Sequence, residues 1–272
     1  MEQEKKRIRL SAVIAAVMFL VMVALNGMAN ALPLNGVNTG QLSDEIPNLF
    51  VPAGLTFSIW GLIYALLLGY AVATLVGAFR KADTPGWAAV DGWIYSLNAL
   101  MNAGWILAWH WRKIPLSVLL MLGILGTLTL LMERSHKAFS VLPAATGRAE
   151  KIRRFFIRVP ILVYLGWISV ATIANITALL VTAGWDGFGL DPVTWTFIVI
   201  AVGALVGSLL AIRRGAVSSA LVVVWAYAGI ILKRSSIAED SSAPVIVAAA
   251  LGAAVVLVAS GIRLAMRARR AS

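Results

Sequence analysis

The chain has 272 residues, 60% of them hydrophobic and 13% charged, with a mean hydropathy of +0.88, whereas a soluble domain is about half apolar and about a quarter charged. That composition describes a membrane protein, and the absence of cysteine excludes disulfide frameworks, thiolate metal sites and cysteine nucleophiles. The net charge of +11 reads as orientation signals between spans and not as a nucleic-acid surface, because no aromatic interleaving or fold signal accompanies it.

A bilayer core of about 30 Å takes about 20 mostly apolar residues per helix, and eight stretches qualify. They run from Leu10 to Leu32, Pro52 to Phe79, Asp91 to Trp109, Pro115 to Met132, Phe156 to Ala183, Pro192 to Ile212, Ala216 to Leu232 and Pro244 to Ile262. Pro52, Pro115, Pro192 and Pro244 stand at starts, where a missing N–H costs least, and Pro160 is expected to do the same in the first turn of the fifth span. The predicted fold is all-α, a polytopic transmembrane bundle of about eight helices; the alternation of a membrane barrel is absent. The first stretch also carries a signal-like pattern, basic from Lys5 to Arg9 with Ala29-Asn30-Ala31 as a cleavage-type triplet. Its long apolar run, reaching past Asn26, favours a retained span.

With the amino terminus inside, nineteen of the 23 Lys and Arg residues lie on the cytoplasmic side, among them Arg80, Lys81 and the seven from Arg134 to Arg158. Only Arg112, Lys113, Lys233 and Arg234 lie outside. This asymmetry predicts a multi-pass protein of the cell membrane with both termini cytoplasmic. Two loops have room for structure. The outer loop from Pro33 to Val51 is rich in Asn and Gly and carries Asp44 and Glu45; the inner one from Glu133 to Phe155 is basic and is expected to meet anionic lipid head groups.

No span holds a charged residue near its centre, which argues against ion coupling through carboxylates. The spans hold amides and aromatics instead. Asn98, Asn102 and Trp105 share one helix face, Trp60 and Tyr64 form an i, i+4 pair, and Trp167, Ala171 and Asn175 repeat every four residues. An Asn in a membrane helix commonly bonds a neighbouring helix, and Trp87, Trp109, Trp111, Trp185 and Trp195 sit at span ends as an interfacial belt would. Trp60, Trp167 and Trp225 lie well within their spans. Indoles beside amides inside a bundle point to a pocket for a flat, mostly apolar ligand that the amides orient. The last three spans are largely Ala, Val, Ile, Leu and Gly and read as packing and lipid-facing scaffold.

These residues resemble the tryptophan-rich sensory protein, or translocator protein (TspO/MBR), family. Its first loop leads to a proline followed by Trp eight residues later and Tyr four beyond, the spacing of Pro52, Trp60 and Tyr64. Its third helix has an Asn-Ala-x-Trp motif, which Asn102-Ala103-Gly104-Trp105 matches. Its fifth has a Pro, a Tyr-Leu-Ala-Trp run, then Ala and Asn four and eight residues past the Trp; here stand Pro160, Tyr164-Leu165-Gly166-Trp167, Ala171 and Asn175. Three departures are Val51 for the first of the paired prolines, an inserted Ile161-Leu162-Val163, and Ile106 for the Ser after the third-helix Trp. A formal sterol-recognition match at Val224, Tyr227 and Lys233 falls in the wrong span and is set aside.

The resemblance implies a five-helix ligand-binding core over residues 1–183, with three additional helices and a basic tail over 184–272. It further implies a hydrophobic planar ligand of the porphyrin or tetrapyrrole type and a sensory, receptor or transport role. The ligand-binding candidates are Trp60, Tyr64, Asn98, Asn102, Trp105, Trp167, Ala171 and Asn175, with the acidic outer loop as a cap. Two other readings remain open at this stage: a facilitative permease for a small amphipathic solute, and a porphyrin-degrading enzyme. No acid–base pair, nucleophile or metal cluster lies within a span, so the expectation is a non-enzyme without catalytic or metal residues and with no required cofactor. The expected partners are membrane lipids and a hydrophobic small molecule, with no nucleic acid; a homodimer is compatible with the sequence.

Overall fold

The computed structural model describes residues 2–80, 86–143, 145 and 147–269. Lys81 and Arg270, two of the basic residues counted inside, lie outside the described residues. Among the described residues, the secondary structure is helical without strands. In chain order the helices are α1 (Glu2–Ala31), α2 (Thr39–Asp44), α3 (Ile59–Phe79), α4 (Ala89–His110), α5 (Ile114–Ser140), α6 (Arg148–Thr182), α7 (Pro192–Arg214), α8 (Val217–Ser235) and α9 (Ser242–Arg269).

All of these except α2 are long, and seven of the long ones are apolar enough to cross a membrane by length and composition. The chain is a multi-pass membrane protein. The exception is α4, the third expected span. Its 22 residues reach about 33 Å, but Asp91, Ser96, Asn98, Asn102 and His110 lower its hydropathy. All five are buried. A helix this polar is stable inside an apolar bundle when its polar groups face protein, because lipid offers them no hydrogen bonds.

Three expectations are corrected. Pro160 lies inside α6, not in its first turn, because the basic segment from Arg148 onward is itself helical and carries a Glu150–Arg154 ion pair at i, i+4. Pro160 therefore removes a hydrogen bond to the carbonyl of Phe156 within the helix. The expected inner loop from Glu133 to Phe155 shrinks accordingly, since α5 runs on to Ser140. The second span does not begin as an α-helix at Pro52: Gly54–Ser58 forms a 3-10 turn, and α3 starts at Ile59.

The chain forms two compact units. The first contains residues 1–37 and 60–165, and the second 38–59 and 166–272. Helix α6 contributes to both, through Leu165 to one and from Gly166 to the other. In the first unit α4 packs between α1 and α5. Close approach is set by small residues: a Cβ on Gly92 would lie 2.9 Å from Ser11. At the end where α4 begins, Asp91 caps the helix through the Ala88 N–H (2.7 Å) and accepts from Arg134 Nε at 2.5 Å.

In the second unit α7, α8 and α9 pack against one another. Tyr227, fully buried, donates to the carbonyl of Ile200 at 2.5 Å, so the phenol of the formal sterol pattern is committed to helix packing. The described part of α6 meets α8 at Gly166, where a Cβ would lie 2.5 Å from the Ser219 carbonyl oxygen and 2.8 Å from its Cα. Here the residue departs from the alanine of the resembled motif, and α8 supplies the reason. The helices pass too closely for a methyl group.

Candidate functional site

In the first unit the aromatic candidates form one cluster centred on Trp60. Tyr64 stacks on it at 5.4 Å between ring centroids with 22° between planes, one helical turn along α3. Trp105 of α4 lies at 6.2 Å and 31°, and Tyr164 of α6 approaches edge-on at 5.9 Å and 64°. Trp109, one turn beyond Trp105, continues the stack at 6.2 Å and 19°. These separations fall within the range where offset and edge-to-face arrangements are favoured. Five rings on three helices thus make one continuous aromatic body.

Asn102 is the polar centre of that body. Its Oδ1 accepts from Asn26 Nδ2 at 2.8 Å, and its own Nδ2 donates to the Tyr164 hydroxyl at 2.6 Å. Asn26 also donates to the Met22 carbonyl at 2.9 Å. Asn102 is 0% exposed, and it ties α1, α4 and α6 together. Asn98, a turn away, commits both donors to α5: Nδ2 reaches the Ile124 carbonyl at 3.1 Å and Thr127 Oγ1 at 2.8 Å. Five buried polar atoms of α4 have no hydrogen-bond partner, namely Tyr95 Oη, Asn98 Oδ1, Trp105 Nε1, Trp109 Nε1 and His110 Nε2. Such groups are rare in folded proteins and costly in an apolar interior.

Trp167, Ala171 and Asn175 belong to the second unit. Trp167 is 3% exposed and meets Phe57 edge-on at 5.8 Å and 83°. Asn175 is buried and engaged, and Ala171 is half-buried. The part of the outer loop in this unit and the 3-10 turn that follows it are fastened to α8. Lys233 Nζ reaches Asp44 Oδ1 at 2.9 Å, the Ala53 N–H reaches the Gly229 carbonyl at 2.9 Å, and Trp225 Nε1 reaches the Thr56 carbonyl at 3.0 Å. Trp225 is 41% exposed. Its mid-span position, read as interior, is corrected: the indole N–H serves the loop while much of the ring lies on the surface.

The eight candidates therefore divide, with Trp60, Tyr64, Asn98, Asn102 and Trp105 in the first unit and the other three in the second. Sequence reasoning left out Asn26, Tyr164 and Trp109 as site residues. Trp109 had a readable signal, since it repeats the spacing of Asn98, Asn102 and Trp105 on α4; its place at a span end hid it among belt residues. Asn26 and Tyr164 reach Asn102 across 76 and 62 residues of chain, which no local pattern reveals. Among the described residues no group of three His, Asp or Glu side chains is placed to hold a metal ion.

Long apolar helices around buried indoles, phenols and carboxamides define a multi-pass membrane protein whose aromatic cluster fits ligand binding. A family model described as TSPO-like protein matches residues 12–262, and the chain belongs to that family. The match continues through α7 and α8 and into α9, beyond the motifs in the earlier helices. No curated protein and no solved structure matches the chain significantly.

Proposed function

We propose that the protein binds a hydrophobic planar ligand of the tetrapyrrole type within the membrane and serves a sensory or transport role in the cell membrane, with both termini cytoplasmic. The observation that carries this reading is the body of rings around Trp60, held by Asn102, beside indole N–H groups that lack protein partners. Flat aromatic faces stack on a planar ligand, while Trp105 and Trp109 Nε1 offer two donors to acceptors at its edge. Family membership supports the same reading. The charge asymmetry between loops supports the orientation.

Titration of the purified protein with protoporphyrin tests it through quenching of tryptophan emission. The expected result is saturable quenching, weakened about five- to tenfold in Trp60→Ala, the loss of roughly 1 kcal/mol associated with an aromatic contact. Emission that does not change on titration, or a Trp60→Ala variant that binds like wild type, would defeat the proposal. Porphyrin flux into proteoliposomes then separates passage from retention, and product analysis after illumination separates both from degradation.

A further inference from the structure

The second unit contains a cavity of about 400 Å³ whose lining includes none of the eight candidate residues. This volume is within the range of small-molecule sites. Ile173 and Leu180 of α6 and Val199 and Val202 of α7 line its walls, and Phe50 from the outer loop contributes another. The wall residues on α6 extend over about 10 Å of helix, so the cavity suits an aliphatic chain lying along the helices.

Its mouth is built differently. Trp185, Asp186 and Trp195 line the cavity at the end where α6 connects to α7, and the connecting loop from Gly184 to Gly189 holds four residues at left-handed φ: Gly184 (67°), Gly187 (69°), Phe188 (55°) and Gly189 (75°). For a phenylalanine this conformation costs roughly 1–2 kcal/mol. Backbone strain of this kind persists where surrounding contacts impose it. The contacts here are aromatic: Trp185 lies 4.7 Å from Trp195, Phe188 stands edge-on to Trp185 at 5.1 Å, and Trp195 Nε1 donates to the Gly187 carbonyl at 2.6 Å. A Cβ on Gly187 would meet that same nitrogen at 2.7 Å. The result is an aromatic lip at which Phe188 is 79% exposed.

Charge settles the head group. Asp186 lines the cavity, and no Lys, Arg or His does. Its Oδ1 accepts the Phe188 N–H at 3.0 Å, which fixes the carboxylate within the lip. Arg234, which bonds the Asn48 carbonyl at 3.4 Å, has its charge offset by Glu239 at 3.8 Å. Indole faces beside a carboxylate favour a cation. We propose that this cavity binds a single-chain cationic amphiphile, with its aliphatic tail along α6 and α7 and its ammonium head against Trp185, Trp195 and Asp186.

The test uses the full chain in dodecyl maltoside micelles and two probes, dodecyltrimethylammonium and dodecyl sulfate, each brominated on the chain carbons nearest the head so that a bound probe quenches the indoles beside the head. The expected result is saturable quenching with the ammonium probe bound about tenfold more tightly than the sulfate. Asp186→Asn and Trp185→Leu should each reduce that preference to less than about threefold, since each removes one attraction to the head. Val199→Phe should abolish the saturable phase for both probes by filling the cavity. Equal affinity for the two heads, quenching that only rises linearly with probe, or a preference unchanged in both mouth variants would overturn the proposal. The mouth variants lie on the surface loop, so the outcome does not depend on whether the cavity-filling variant folds.

Discussion

Gly166→Ala isolates the close pass between α6 and α8. The added methyl would sit 2.5 Å from the Ser219 carbonyl oxygen, 2.8 Å from its Cα and 3.0 Å from its carbonyl carbon. These are backbone atoms in the first turn of α8, so no rotamer change relieves the contact and the helices must separate. Overpacking of this kind costs about 1–3 kcal/mol, while replacing glycine by alanine in a helix returns up to about 1 kcal/mol. The net loss is up to about 2 kcal/mol, equivalent to a fall of up to about 8 °C in Tm for a chain of this size, and the deficit against an unobstructed glycine-to-alanine change is about 1–3 kcal/mol. Thermal unfolding in dodecyl maltoside, followed by circular dichroism, reads it directly. Gly126→Ala is the matched control, because a Cβ there meets nothing within 4 Å and the helix-forming gain stands alone. Ser219→Gly should not rescue Gly166→Ala, since the obstructing atoms are not in the serine side chain. A Gly166→Ala protein as stable as the Gly126→Ala control, or rescue by Ser219→Gly, would refute the backbone-contact argument.

Asn102→Leu strips the Tyr164 hydroxyl and the Asn26 amide of a partner, though Asn26 keeps the Met22 carbonyl; the expected cost is about 1–2 kcal/mol, and a double-mutant cycle with Asn26→Val in the same unfolding assay should show coupling of at least about 0.5 kcal/mol. Gly187→Ala should disrupt the lip by combining an unfavourable φ with contact against Trp195, seen as loss of the near-ultraviolet dichroism of the Trp185–Trp195 pair; an unchanged spectrum would contradict the geometry. Asp191 caps α7, and hydrogen bonds from the Thr194 hydroxyl and N–H, with a further one from the Val193 N–H, hold its carboxyl below the usual carboxylate range. A lowered folded-state pKa means that the stabilisation is fully present above the ordinary Asp range and is lost as pH falls through the folded value. Amide exchange at Val193 and Thr194, corrected for intrinsic rates, should therefore show local opening on acidification in wild type and little pH dependence in Asp191→Asn.

Run lengths alone located the long helices, because about 20 apolar residues suffice to state that a segment crosses a bilayer. Helical spacing likewise placed Trp60 with Tyr64, and Asn98, Asn102 and Trp105 on one face. The direction in which each face points was decided by tertiary packing. Trp109 and Trp111 stand two residues apart at one end of one span, yet one is 5% exposed and the other 50%. Trp167 and Trp225 both lie mid-span, and only the first is buried. Lipid tails and protein interiors are equally apolar, so hydropathy reports that a residue lies in the membrane but not whether it faces acyl chains or a neighbouring helix. That choice rests on small-residue contacts such as Gly92 with Ser11 and Gly166 with Ser219, and on hydrogen bonds such as Asn26 to Asn102, whose partners are distant in the chain and become neighbours only on folding.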